Sequence, residues 1–252
     1  MGTPQLTADT WDGAGETADT WDGAGESSWD GYAARWSVMR GGLDPRDTLP
    51  PVRAWMRAAY RCGLLLAGRQ VAVDALTTVG LVCALATPLA MLGGRRWALL
   101  AAGLVLITAL AEALEGAVRV ITARATSWGT VYDAVVSRAG EACWLTALWL
   151  AGAPGWLAAA ACGAAWFHEY TRLQATMAGV RRSDTITMAE RPMRITVAAG
   201  GLAVSGAAAL YSDELAVGAA TMAATVWVLI GLGGLIQLAD GVRLARGRDA
   251  RL

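Results

Sequence analysis

Six apolar runs of roughly 20 residues each fill most of the chain between residues 71 and 240, and they limit the possible folds more than any other feature. Each run has about the ~20 helical residues that cross a hydrocarbon layer ~30 Å thick. The composition agrees, because 55% of the residues are hydrophobic, only 17% are charged and the mean hydropathy is +0.40. A water-soluble fold could not bury so much apolar surface. The sequence therefore predicts an all-α integral membrane protein.

The arginines between the apolar runs indicate how the predicted helices are oriented. Six transmembrane helices are expected at about residues 71–92, 97–118, 131–152, 154–174, 193–210 and 214–240. Only Arg95 and Arg96 lie on the side of the short turns. The other side holds fifteen arginines: Arg53, Arg57, Arg61, Arg69, Arg119, Arg124, Arg172, Arg181, Arg182, Arg191, Arg194, Arg243, Arg246, Arg248 and Arg251. Because positive residues mark the cytoplasmic side, both termini are predicted to be cytoplasmic.

The first 50 residues differ from the rest in charge and in pattern. They hold nine acids and three arginines, a net charge of −6, whereas residues 51–252 have a net charge of +6. Residues 7–16 recur unchanged at 17–26. So short and polar a repeat has too little apolar material for a packed core. We expect disorder through about residue 28 and a loop from residue 36 to residue 51.

These patterns divide the chain into four regions. Residues 1–50 are predicted to be an acidic, mostly disordered tail. Residues 51–70 alternate arginine and apolar residues at helical spacing, which is typical of an amphipathic helix lying on an anionic membrane surface. Residues 71–240 form the predicted six-helix transmembrane domain, and residues 241–252 form a basic tail.

Acidic residues lie at the facing ends of the second and third predicted transmembrane helices. Glu112 and Glu115 are three residues apart, and Asp133, Ser137 and Glu141 follow one another at intervals of four, so each set occupies one helical face. Two antiparallel helices can aim these carboxylates at one another. Carboxylates this close must be protonated, paired with arginine or bridged by a divalent cation.

The spacing of these residues resembles the signature of the CDP-alcohol phosphatidyltransferases. That signature places two acids three residues apart, a glycine after the second, and a glycine and two further acids on the next helix. Glu112 and Glu115 fall on its first two acids and Asp133 on its third. Gly116 and Gly129 fall on its glycines, and Ser137 takes the place of its fourth acid.

The resemblance implies a fold, an activity and a cofactor. A member of this family transfers a phosphatidyl-type group from a CDP-activated lipid to a hydroxyl acceptor and releases CMP in phospholipid biosynthesis. The resemblance implies Glu112, Glu115 and Asp133 as ligands of a site for two Mg²⁺ or Mn²⁺ ions. It puts Ser137, or Glu141 one turn on, at the position of the general base.

Two segments outside the signature strengthen the resemblance. Residues 73–80 are similar to the family's entry to the first transmembrane helix, and they add Thr77 to Gly116 and Gly129 as expected nucleotide or phosphate contacts. Residues 189–194 look like a run found in members with phosphorylated inositol acceptors. Because guanidinium groups bind phosphate well, the candidate acceptor residues are arginines: Arg138, Arg172, Arg191 and Arg194.

Departures from the signature keep a second function open. Glutamate replaces aspartate at two ligand positions, and Arg119-Val120 stands where the family has Ala-Arg. The hydroxyl of Ser137 is neither a good magnesium ligand nor a general base at pH 7. The alternative is a catalytically degenerate homologue that binds lipid or nucleotide or scaffolds a partner synthase.

Other interpretations of the charged residues also remain. The acids could form a structural ion-pair cluster with Arg119 and Arg138, and each candidate acceptor arginine could be a plain membrane anchor. Paired acids could also serve a transporter, but the halves show no inverted repeat.

The expected partners and location follow from the resemblance and the composition. The partners are the lipid bilayer, a CDP-activated lipid donor, a hydroxyl acceptor and a second copy of the chain, with no nucleic acid. All 21 basic residues are arginine, which favours a bacterial source. The predicted location is the bacterial inner membrane, with the site on the cytoplasmic side.

Overall fold

The computed structural model describes residues 28–39, 44–123, 126–180 and 187–249, and in these residues all regular structure is helical. The helices are α1 (Trp29–Met39), α2 (Pro50–Gly68), α3 (Val73–Ala90), α4 (Ala98–Thr122), α5 (Ser127–Ala151), α6 (Gly155–Met177), α7 (Arg191–Ala208) and α8 (Asp213–Asp249). The predicted all-α class is confirmed. The ten-residue repeats, Arg124, Arg181, Arg182 and Arg251 lie outside the described residues.

Three helical stretches in the described residues are long and apolar enough to cross a membrane. They are Val73–Gly93, Arg95–Thr122 and Asp213–Ala245. Large apolar side chains such as Leu85 and Leu106 are exposed on these stretches, as expected of surfaces that face lipid. Helices α5, α6 and α7 coincide with the other three predicted spans but are less apolar along their length, so the count of six stays a prediction.

Helix α1 extends through Met39, so the loop predicted for residues 36–51 is wrong for residues 36–39. The Ser28 hydroxyl accepts a hydrogen bond from the backbone N–H of Gly31 at 3.1 Å and so caps the helix. Tyr32 is buried in a cluster with Tyr60 of α2 and Val120 of α4. Residues 29, 32 and 36 lie at helical spacing, and this apolar face of α1 packs on α2 and α4.

Helix α2 forms in the predicted amphipathic segment, with a shift of one or two residues at its ends, and its location on a membrane surface stays a prediction. Tyr60 and Gly63 are buried toward α4, whereas Arg57 and Arg61 are exposed. The exposed guanidinium groups suit an anionic surface.

Small residues bring the helices of the domain together. Helix α3 packs on α4 and α5, while α7 packs on α4 and α8. Trp144 and Trp227 are almost fully buried in a core that is otherwise rich in alanine. At Gly206 of α7, an added Cβ would lie 2.7 Å from the backbone nitrogen of Leu99. Helix α7 therefore approaches the start of α4 too closely for any side chain.

Substitution Gly206→Ala is expected to destabilise the protein by about 1–3 kcal/mol, because two backbones must separate to admit the methyl group. Gly200→Ala on the same helix is the control, since an added Cβ there meets nothing within 4 Å. Thermal unfolding in detergent measures both. Equal stability of the two variants would contradict this packing.

Candidate functional site

The acids of α4 and α5 lie in a network of ion pairs with arginines of α4 to α7. Five acids and five arginines take part within the described residues, as two neighbouring groups. We call Glu115, Arg119 and Asp133 the outer cluster. The inner cluster consists of Glu112, Arg138, Glu141, Glu169, Arg172, Arg191 and Arg194.

In the outer cluster, one guanidinium holds carboxylates from two helices. Arg119 is one turn after Glu115 on α4 and donates a hydrogen bond to it through Nη2. Through Nη1 it donates to Asp133 Oδ2 on α5 at 3.4 Å. Glu115 is only 3% exposed, so its charge needs this partner. Ser137 extends the cluster, since its hydroxyl lies 3.5 Å from Asp133 Oδ1.

The inner cluster is centred on Arg191, the first residue of α7. Its guanidinium donates two hydrogen bonds to the Glu112 carboxylate, one of them from Nε to Oε2 at 2.7 Å. It also donates through Nη1 to the Ser137 carbonyl oxygen at 2.9 Å and to Glu141 Oε1 at 3.2 Å. Its Cζ lies 5.3 Å from the ring centroid of Trp144, a cation–π distance. Arg191 therefore ties α4, α5 and α7 together.

Glu141 is fully buried and is surrounded by three guanidinium groups. Arg191 Nη1 and Arg194 Nε lie 3.2 Å from its Oε1, and Arg138 Nη1 lies 3.2 Å from its Oε2. A buried carboxylate needs such compensation to remain charged. Its carboxylate is thereby committed to ion pairing.

All four predicted acceptor arginines belong to the inner cluster. The structure brings Arg138, Arg172, Arg191 and Arg194 together around three acids, which leaves one positive charge in excess. Among the described residues, the buried Nε of Arg172 has no hydrogen-bond acceptor, whereas Arg138 Nη1 and Arg194 Nε face the Glu141 carboxylate at 3.2 Å outside hydrogen-bond geometry. The excess positive charge and the Arg172 donor suit this cluster to an anion.

His168 lies at the edge of the inner cluster and is 1% exposed. Its Nε2 forms a 2.8 Å hydrogen bond with the Thr187 hydroxyl. The sequence singled out no role for Thr187, which approaches His168 from the segment that precedes α7.

A cavity of about 420 Å³ opens beside the outer cluster, between the turn from α2 to α3 and the facing ends of α4 and α5. Its polar lining consists of Gln70, Asp74, Arg119, Thr122, Thr126 and Thr130. The three threonines and Gln70 were not predicted. Each is unremarkable in sequence, and only the meeting of the helix ends places them together.

The predicted nucleotide contacts lie in different settings. Gly129 lines the cavity, and an added Cβ there would lie 2.9 Å from Thr126 Oγ1 and 3.4 Å from Asp74 Oδ1. Gly116 is half-buried on α4. Thr77 is buried on α3, where its hydroxyl lies 3.3 Å from the Val73 carbonyl oxygen. Gly129 is therefore the one of the three that borders the cavity.

The predicted metal ligands do not fit a pair of divalent ions as they are placed. Glu115 and Asp133 share Arg119, and Glu112 is held by Arg191. In the part of the chain that the structure describes, no three His, Cys, Asp or Glu side chains are grouped so that they could hold an ion. The carboxylates face guanidinium groups instead.

Comparison with known proteins adds no relative, because no family model, no curated protein and no solved structure matches this chain.

Removing the charge of Glu141 tests whether the inner cluster is as tightly compensated as its geometry indicates. Glu141→Gln leaves three guanidinium groups without their shared carboxylate, and we expect it to cost about 3–5 kcal/mol of stability. Asp240→Asn, which breaks an exposed pair with Arg243, should cost at most about 1 kcal/mol. Unfolding in detergent is the measurement. A mild effect of Glu141→Gln would contradict a charged, buried Glu141.

Proposed function

We propose that this chain is a CDP-alcohol phosphatidyltransferase-like membrane protein that binds a CDP-activated lipid and has lost metal-dependent transfer. In this proposal the chain crosses the bacterial inner membrane six times, with both termini and the site on the cytoplasmic side. The observation that carries the proposal is the position of the cavity, directly beside acids and glycines that match the family's spacing.

The cavity suits the nucleoside part of such a ligand. Its volume of about 420 Å³ falls within the range of small-molecule pockets, ~300–1,000 Å³. The threonine hydroxyls and the Gln70 amide supply donors and acceptors of the kind that read a base or a ribose. Gly129, without a side chain, leaves room for a ligand beside Asp74.

The inner cluster suits a phosphate group. It has four arginines for three acids, and the buried Nε of Arg172 lacks an acceptor among the described residues. Planar guanidinium groups bind phosphate oxygens through paired hydrogen bonds. Residues 133–141 of α5 run alongside both clusters, so one elongated ligand could contact the cavity and the arginines.

The state of the acids favours binding over transfer. All three predicted metal ligands are paired with arginine, and Glu141, the alternative to Ser137 as general base, is enclosed by three guanidinium groups. The Ser137 hydroxyl lies 3.5 Å from Asp133 Oδ1, and Asp133 is itself paired with Arg119.

Catalytic transfer is the second candidate, favoured by the spacing of Glu112, Glu115 and Asp133. An active protein would move a phosphatidyl-type group to a hydroxyl acceptor and release CMP. A second copy of the chain, as a homodimer, and a partner synthase are further proposed partners.

Filling the cavity should weaken ligand binding. We expect Thr122→Trp to raise the Kd for CDP-diacylglycerol in nanodiscs about tenfold or more, because the indole would occupy the cavity. Thr225→Trp is the matched control: both threonines donate to the carbonyl four residues earlier, but Thr225 is exposed on α8. Unchanged affinity in folded Thr122→Trp would place the ligand elsewhere.

A CMP-release assay separates binding from transfer. Wild-type protein with CDP-diacylglycerol, several alcohol acceptors and Mg²⁺ or Mn²⁺ should release no CMP above the background of empty membranes. Release that depends on a metal ion and an acceptor would establish transfer instead. Ser137→Asp, which restores the fourth acid, tests whether the departure at this position is the cause of inactivity.

A further inference from the structure

Arg119 lies between two carboxylates that come from different helices, Glu115 of α4 and Asp133 of α5. Without it, these two like charges would face each other. Arg191 lies in the same way between Glu112 and Glu141. Among the described residues, Arg119 is the only cation paired with Glu115, and Arg191 is the only cation paired with Glu112.

We propose that Arg119 is a built-in cation that takes the place of a divalent ion between Glu115 and Asp133, so that the chain holds α4 and α5 together without metal. This inference goes beyond the proposed function and shares with it only the resemblance that gives Glu115 and Asp133 as metal ligands, because it concerns the carboxylates and not the cavity or its ligand.

Covalent attachment gives Arg119 an advantage over a free ion. It is fixed one turn from Glu115, so its effective concentration at the two carboxylates far exceeds that of a metal ion in solution. Its planar guanidinium presents donors to both carboxylates at once. A divalent ion would have to displace it and accept its charge as a near neighbour.

The side chains around Arg119 fit a guanidinium better than a small ion. Glu115 reaches one methylene further than aspartate, and it meets Arg119 on the same face of α4. Asp133 Oδ2 lies 3.4 Å from Nη1, the other terminal nitrogen of the Arg119 guanidinium. Mg²⁺ binds oxygen ligands at ~2.1 Å in near-octahedral geometry, and the guanidinium of Arg119 occupies the space between the two carboxylates that such an ion would need.

Removing Arg119 should therefore open a metal site. We would titrate full-length protein in detergent with Mn²⁺ and follow free Mn²⁺ by electron paramagnetic resonance. Arg119→Met keeps the apolar stem and deletes the charge, and we expect it to bind Mn²⁺ about tenfold or more tightly than wild type. Arg119→Lys, which retains a fixed positive charge, should resemble wild type.

Two further variants locate the site. The acidic residues before residue 51 contribute the same Mn²⁺ background to every protein. The Mn²⁺ bound at the site is therefore the amount bound by Arg119→Met minus the amount bound by the triple variant that also carries Glu115→Gln and Asp133→Asn. Arg243→Met removes an arginine from the exposed pair with Asp240 and should gain no site, since it frees only one carboxylate.

Three results would overturn the proposal. One is Mn²⁺ binding by wild type that Glu115→Gln with Asp133→Asn abolishes. Another is a folded Arg119→Met protein that binds Mn²⁺ no better than wild type. If Arg119→Met does not fold without metal, it is purified with and without Mn²⁺: recovery of folded protein only with Mn²⁺ supports the proposal, and failure under both conditions overturns it.

Discussion

The pairing of buried carboxylates with guanidinium groups is the constraint on which the rest of this structure depends. A charged group in a low-dielectric interior costs several kcal/mol unless it has a partner. Arg191 meets this need for α4 and α5 at once, because it binds Glu112, Glu141 and the Ser137 carbonyl oxygen. The same pairing ties the start of α7 to α4 and α5. The inner cluster is thus a structural brace as well as a candidate anion site.

Local spacing predicted much of the site but not its pairing. The intervals between Glu112 and Glu115, and between Asp133 and Glu141, correctly placed each set on one helical face. The i, i+4 pair of Arg119 with Glu115 could also be predicted. The partner of Glu112 could not, because Arg191 is 79 residues away and its approach depends on how α7 packs.

The fold shows the same division between local and long-range information. Apolar runs and glycine-rich turns predicted helices α3 to α8 to within a few residues at most ends, because helical periodicity and breakers are local signals. Helix α1 was missed past residue 36, since its stability comes from burying Tyr32 against α2 and α4. The cavity lining was missed for a related reason: Gln70 and Thr122 meet only across a tertiary contact.

The uneven apolar character of the helices has a consequence for biogenesis. Helices α3, α4 and α8 contain stretches apolar enough to partition into lipid as single segments, whereas α5, α6 and α7 are less apolar and carry charges that oppose it. In the six-span arrangement, these three helices would leave the insertion machinery together, with Glu141, Glu169 and their arginines already neutralised by one another. Nascent α4 could enter the lipid on its apolar part alone, but Glu112 would remain without Arg191 until α7 is synthesised.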